Sequence, residues 1–408
     1  MIENELKTSG YRWTVLVLFM LVNISTQILW ISYAPVTLDA VAYYNVSELE
    51  ILFMSTIYMI IYIPVSFIAS WFINKYGFRV GVGLGAIING VFGFLRYVAG
   101  PNYILVLIFT IMIAISQPII INSTTLLSAT WFPESERTTA TGLSLNSLSL
   151  GVALGMVLTP LIVVSFDISM MLFIYGLYSL IVGIFFIIFA KNSPGFLSLD
   201  NKNRIKTISL KKELVILTLN KLFWVIIILF FISLGLFNWV TTYIELIVAP
   251  RGLSSIDAGI LGAILLVGGM VGTIILALLS DKLKKRRIFI ITSGFIAAIS
   301  ITVLIFANNT VIFNIFGFLL GFGLLSAGPL VLEYAVEITN PVPEASSNGF
   351  LMVVGQIGGI IFIFGFERFV TPTGDYLPTL ILLSILAFIS LILSFLLKDV
   401  KKENLTRN

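Results

Sequence analysis

The chain has 408 residues, enough for two or three soluble domains at ~150 residues each. Its composition excludes that form: 58% of residues are hydrophobic, 11% are charged and mean hydropathy is +1.07, against about 25% charge in soluble domains. The net charge is +4, and with no Cys and no His the chain offers no disulfide, thiolate or imidazole. Serine–histidine triads, zinc centres and His-ligated haem fall outside its chemistry.

A hydrocarbon core of ~30 Å takes about 20 apolar residues as helix. Such runs recur at residues 12–36, 50–72, 79–99, 103–131, 138–166 and 168–190, then at 221–248, 257–280, 288–307, 310–336, 347–369 and 376–397. Runs such as Val225 to Phe230 do not alternate, which argues for helices rather than barrel strands. The expected fold class is therefore an all-α membrane protein with twelve transmembrane helices in two pseudo-symmetric six-helix bundles. The acidic and basic residues Glu3, Glu5 and Lys7 run straight into a span too long for a signal peptide, so the first helix is expected to stay. When the loops are assigned to alternate sides, all Lys and Arg except Arg96, Arg251 and Arg368 fall on one side. The positive-inside rule makes that side cytoplasmic and places both termini there, in an integral multi-pass protein of the cell membrane. The +4 balance thus records topology, and no nucleic-acid partner is expected.

The longest break, residues 191–220, divides the chain into an N-terminal bundle (1–190), a cytoplasmic linker and a C-terminal bundle (221–408). Ile208 to Leu219 reads either as an amphipathic helix on the headgroups or as a solvated linker.

The halves share punctuation. Asn74-Lys75-Tyr76-Gly77-Phe78-Arg79 follows the second span, and Asp281-Lys282-Leu283-Lys284-Lys285-Arg286-Arg287 follows the eighth. Lys75, Gly77 and Arg79 resemble the loop motif of the major facilitator superfamily, although Ser70 and Asn74 replace its Gly and Asp and Lys284 replaces Gly in the second copy. The loops Trp131 to Arg137 and Glu337 to Glu344 are similar to a second superfamily signature. The resemblance implies a cytoplasmic gate at Asn74, Lys75, Arg79, Arg137, Asp281, Glu333 and Glu337, whose charges pair when that face closes; ordinary helix-end capping is the alternative. No Gly-rich loop ending in Gly-Lys-Ser/Thr occurs, so movement is expected to run on gradients.

Four segments carry a narrower resemblance: Trp30-Ile31-Ser32-Tyr33, Gln117, Gly151 to Gly155 with Pro160, and Glu333 to Thr339 through Gly355-Gln356-Ile357. Together they resemble the feline leukaemia virus subgroup C receptor-related family of facilitators, described for choline, ethanolamine and, in a relative, pyridoxine, with a role in haem export. The family's small aromatic cage with glutamines would place its helix-one tryptophan on Trp30 and its helix-eleven glutamine on Gln356. Its helix-five glutamine falls on Ser149, and its helix-seven tyrosine falls near Asn238, beside Trp239.

A quaternary ammonium has no proton to donate and is held by aromatic faces at about 0.5–2 kcal/mol per contact. Trp30 lies roughly 18 residues into its helix, ~27 Å at ~1.5 Å per residue, a depth suited to an outer cavity wall and equally to an interfacial belt. Gln27, Asn89, Gln117, Asn122, Asn146, Asn238 and Gln356 must find partners in hydrocarbon and are expected to face the interior, as helix glue or as solute contacts. The substrate-binding candidates are Trp30, Tyr33, Gln117, Asn146, Ser149, Asn238, Trp239 and Gln356.

The central third of each span lacks a carboxylate, while Glu333, Glu245 and Glu367 lie near span ends. This favours facilitated uniport of a small polar or cationic solute, choline-like by resemblance, by alternating access. Proton-coupled transport of another metabolite, vitamin, haem or drug is the alternative, and a non-transporting receptor or sensor is the alternative of another class. No clustered catalytic constellation, cofactor or metal is expected, so an enzyme is not. The expected partners are a small-molecule solute and the lipid bilayer, with the protein a monomer.

Overall fold

The computed structural model describes residues 10–191, 210–283, 285–371 and 376–399. The tail cations Lys7, Lys401, Lys402 and Arg407, residue Lys284 and most of the expected linker lie outside them. Twelve described helical segments are long and apolar enough to cross a membrane. They are helical because a chain in hydrocarbon must satisfy its backbone N–H and C=O groups internally, which an isolated span achieves only as a helix. With Phe67, Ile188, Phe306 and Ile392 all at least 62% exposed on outward faces, lipid is the solvent these surfaces require, and the protein is an integral multi-pass membrane protein.

The chain divides into two compact units, Met1–Lys206 and Thr207–Asn408. In the first, α1 (Tyr11–Ile31) is followed through a 3-10 turn by α2 (Thr37–Tyr44), then α3 (Glu48–Tyr76), α4 (Phe78–Val98), α5 (Tyr103–Ile121), α6 (Thr124–Trp131), α7 (Glu134–Ser165) and α8 (Ile168–Phe189). In the second, α9 (Leu210–Leu219) precedes α10 (Lys221–Thr242), α11 (Ile244–Val248), α12 (Ser255–Leu283), α13 (Arg286–Phe306), α14 (Thr310–Thr339), α15 (Glu344–Gly365) and α16 (Leu377–Ser394). α9 covers the described part of the segment expected to be either amphipathic helix or open linker, and it is helical. Three expected spans are interrupted. The first breaks at Ser32 and its second piece runs on to Tyr44, beyond the expected 36. The fourth breaks at Asn122, after Pro118 removes a ladder donor, and the seventh breaks at Tyr243.

The packing repeats. α1 packs on α7, α4 on α8 and α5, and α3 on α5; in the second unit α10 packs on α15, α13 on α16 and α14, and α12 on α14. Counted as spans, first pairs with fifth, third with sixth and fourth, and second with fourth in each half. The shared punctuation in the sequence is the trace of this duplication.

Helix ends are set locally. Ser47 caps α3 by a reciprocal pair, its Oγ accepting from Glu50 N and the Glu50 carboxylate accepting from Ser47 N at 2.8 Å. α3 ends at Gly77, whose φ of 85° suits a residue without a Cβ and turns the chain directly into α4. The seam between α1 and α7 depends on Gly151: a Cβ there would lie 2.8 Å from both Gln27 Cβ and the Ile24 carbonyl oxygen. Such close approach lets dispersion contacts replace the hydrophobic drive that lipid does not supply.

Candidate functional site

In the first unit the close α1–α7 seam fixes Gln27 and Trp30. Trp30 is 9% exposed and its Nε1 donates to the Ser55 carbonyl of α3 at 3.1 Å, which sets the ring's plane. Tyr33 follows at the break, with its hydroxyl 2.7 Å from that of Tyr44. Here Arg96 of α4 is fully buried: Nη1 donates to Leu29 O at 3.2 Å, Nη2 donates to Ser32 Oγ at 3.3 Å, and the guanidinium stands 4.8 Å from the Tyr33 ring centroid. Arg96 thus meets the Leu29 carbonyl near the end of α1, directly and through the Ser32 hydroxyl that also donates to it, and holds the bend.

Below the bend, a buried polar seam ties three helices. Asn23 donates to Ser144 O and Ser147 Oγ of α7, and Asn89 of α4 donates to Ser25 Oγ. Gln27 and Gln117 are buried, yet their amides form no hydrogen bond with a described residue. Asn122, by contrast, is spent on Ser66 and Ser70 of α3. Asn146 is exposed on α7 and Ser149 half-buried, while Ser144 and Ser147 occupy the face toward α1.

In the second unit, Trp239 stacks on Tyr243 with centroids 4.7 Å apart and planes 14° apart. Tyr376 meets Tyr243 edge-on at 5.4 Å and lies 6.4 Å from Trp239. The Tyr243 hydroxyl is 2.8 Å from both Ile363 O and Glu367 Oε2, so the ring group is anchored to the end of α15. Trp239 is fully buried, Asn238 is 4% exposed beside it, and Gln356 is half-buried on α15 with no side-chain hydrogen bond to a described residue. The unit therefore offers aromatic faces, amides and a carboxylate within one helix end and its neighbours.

The residues expected at the gate separate by unit. Asp281, Glu333 and Glu337 converge on Arg286, at 3.1, 3.4 and 2.6 Å. In the first unit Asn74 is exposed, and among the described residues the expected cations meet rings and carbonyls. Lys75 stands 4.9 Å from Trp71 and 5.2 Å from Tyr76, Arg79 donates to Ile187 O, and Arg137 donates to Phe132 O and Ala129 O. The carboxylate Glu136 pairs instead with Arg12 at 2.9 Å.

Sequence reasoning missed Arg286 as a hub, Tyr243 and Tyr376 as ring partners, and Arg96 as a capping charge. Tyr243 carried a usable signal, being one helical turn past Trp239. No group of three or more Asp or Glu placed to hold a metal occurs among the described residues.

Three comparisons bear on these units. The family described as Major Facilitator Superfamily matches residues 15–363. Solute carrier family 49 member A3 of Xenopus tropicalis is 29% identical, over 90% of this chain and 80% of its own. Choline/ethanolamine transporter FLVCR1 of Felis catus is 28% identical, over 97% of this chain and 74% of its own. Among solved structures, a bacterial homolog to human lysosomal transporter Spinster, inward-facing and unoccupied, aligns with a TM-score of 0.78 at 12% identity, over 95% of this chain and 97% of that one.

Proposed function

This chain belongs to the Major Facilitator Superfamily, and we propose that it is a uniporter that moves a small polar or cationic organic solute, a choline-like amine in particular, by alternating access. The observation that carries this reading is the combination of ring faces at Trp30 and the Trp239–Tyr243 stack with the amides of Gln117 and Gln356, which form no hydrogen bond with a described residue. Rings attract a desolvated cation that has no proton to give, and neutral amides orient its polar end without fixing its charge. Tyr33, Asn146, Ser149 and Asn238 complete the proposed solute path. The relatives named for choline and ethanolamine transport support the solute class.

The ion-paired cluster around Arg286, with the cations Lys75, Arg79 and Arg137 and the residue Asn74, is the proposed cytoplasmic gate. The domain limits 1–190, 191–220 and 221–408, cytoplasmic termini, a cell-membrane location and a monomeric state belong to the same reading. Proton coupling is the second reading, through Glu333, which pairs with Arg286 at 3.4 Å, or through Glu245, a carboxylate only 4% exposed at the end of the seventh span. Proteoliposome uptake of labelled choline under imposed pH and voltage gradients separates them. A uniporter follows the choline gradient and, for a cation, the voltage, at ~2.3 kcal/mol per charge per 100 mV. Uptake that follows pH at clamped zero voltage overturns the uniport reading.

A further inference from the structure

One charge in the first unit is buried without a counter-charge. Arg96, in the last turn of α4, is 0% exposed, and none of the ion pairs among the described residues includes it. The groups that act on it are neutral: Leu29 O, Ser32 Oγ and the side chains of Tyr33, Tyr44 and Tyr58. A cation taken from water into a membrane protein's interior is costly unless negative charge meets it. Two buried donors also remain beside it. Arg96 Nε meets no hydrogen-bond partner among the described residues, and neither does the hydroxyl of Tyr58, a side chain 1% exposed. The other polar groups of this cluster are committed: Nη1 to Leu29 O, Nη2 to Ser32 Oγ, and the hydroxyls of Tyr33 and Tyr44 to each other. α3 holds Tyr58 near the end of α1, because Ser55, one turn earlier, accepts from Trp30 Nε1. Buried unmet donors are few in a native fold, and each is costly.

The cation lacks an anion and the donors lack an acceptor, and one negative ion makes good both deficits. We infer that Arg96 and Tyr58 bind a small monovalent inorganic anion of the halide class, chloride above all. One guanidinium balances one negative charge, and two donors suit a single-atom acceptor. A sulfate brings a second charge and four oxygens to a place with few donors left to meet them. The edge-on rings of Tyr33, Tyr44 and Tyr103 stand on the same side of the unit and add no charge of either sign. The bound ion offsets the charge that Arg96 carries to the end of α1 and so supports the bend at Ser32. The site is therefore an anion dependence of the first unit itself, whatever solute the protein moves.

The test titrates purified full-length protein with sodium chloride against sodium gluconate at fixed ionic strength, following the binding of radiolabelled chloride and the Tm. Wild type binds chloride saturably, and its Tm rises by about 3–8 °C at roughly 100 times the half-saturating concentration. Bromide competes for the site and sulfate does not. Tyr58→Phe keeps the ring and its packing and raises the half-saturating concentration by about 10-fold, the order set by one hydrogen bond to a charged partner. Arg96→Gln abolishes both responses; should it fail to fold, Tyr58→Phe carries the test alone. No saturable chloride binding, equal Tm in the two salts, or an affinity that Tyr58→Phe leaves unchanged overturns the inference. Binding of acetate but not of chloride overturns it as well and gives the site to a carboxylate. None of these readouts involves choline or flux, so their failure leaves the uniport reading standing, and a failed uniport reading leaves this inference standing.

Discussion

Replacing Arg286 with Met gives the sharpest test of the charge cluster in the second unit. The guanidinium stands 2.6 Å from Glu337, 3.1 Å from Asp281 and 3.4 Å from Glu333. Exposure decides what each contact contributes. The Glu337 side chain is 31% exposed and that of Arg286 21%, whereas Glu333 and Asp281 are 58% and 67% exposed and largely screened. The Glu337 pair therefore contributes about 1 kcal/mol and the other two a few tenths each. Removing the arginine also leaves three carboxylates facing one another, so the expected loss is about 1.5–2 kcal/mol, a fall in Tm of about 3–8 °C for a unit of this size. Thermal unfolding in detergent at low salt measures it. The double variant Arg286→Met with Glu337→Gln recovers part of the loss, and ~1 M salt shrinks the difference because the Debye length drops to about 3 Å. An unchanged Tm in Arg286→Met, or a loss insensitive both to salt and to the Glu337 change, refutes the electrostatic account.

The α1–α7 seam predicts opposite outcomes for two glycines of one helix. Gly151→Ala forces a Cβ against Ile24 backbone atoms at 2.8–2.9 Å and costs about 1–3 kcal/mol, while Gly142→Ala meets nothing within 4 Å and is neutral or stabilising by up to ~1 kcal/mol; melting curves of both report it. Trp30→Phe keeps a ring but loses the bond to Ser55 O, so choline binding weakens by about 3- to 10-fold, and Trp30→Ala abolishes it. A choline response preserved in Trp30→Ala removes Trp30 from the site.

The sequence carried the helices well because hydropathy in lipid is a strong and local signal. Its limits fall where geometry joins distant residues. Arg286 sits in the loop run from Lys282 to Arg287, where five cations look alike in sequence, and only the approach of the α12 and α14 ends distinguishes it from its neighbours. The first apolar run ends at 36. The chain instead bends there, held by Arg96, and resumes to Tyr44, where Asn45 in a left-handed conformation ends it. Tyr243 and Tyr376 meet edge-on across a long stretch of chain, a pairing no local pattern encodes. Among the candidate site residues, the cost of an amide in hydrocarbon marks Gln117 and Gln356 only as inward-facing, and it is the family resemblance that singles them out with Trp30. Which amides are already spent, as with Asn122 on Ser66 and Ser70 of α3, depends on partners that only packing brings near.

Counterflow tests the central claim most directly. Proteoliposomes loaded with unlabelled choline and diluted into a trace of labelled choline, with no pH, sodium or voltage gradient, are expected to accumulate label transiently above equilibrium, because a carrier open to alternate sides exchanges solute for solute. Label that rises only to equilibrium, or does not enter at all, with choline, ethanolamine and pyridoxine each tried on both sides, contradicts the account.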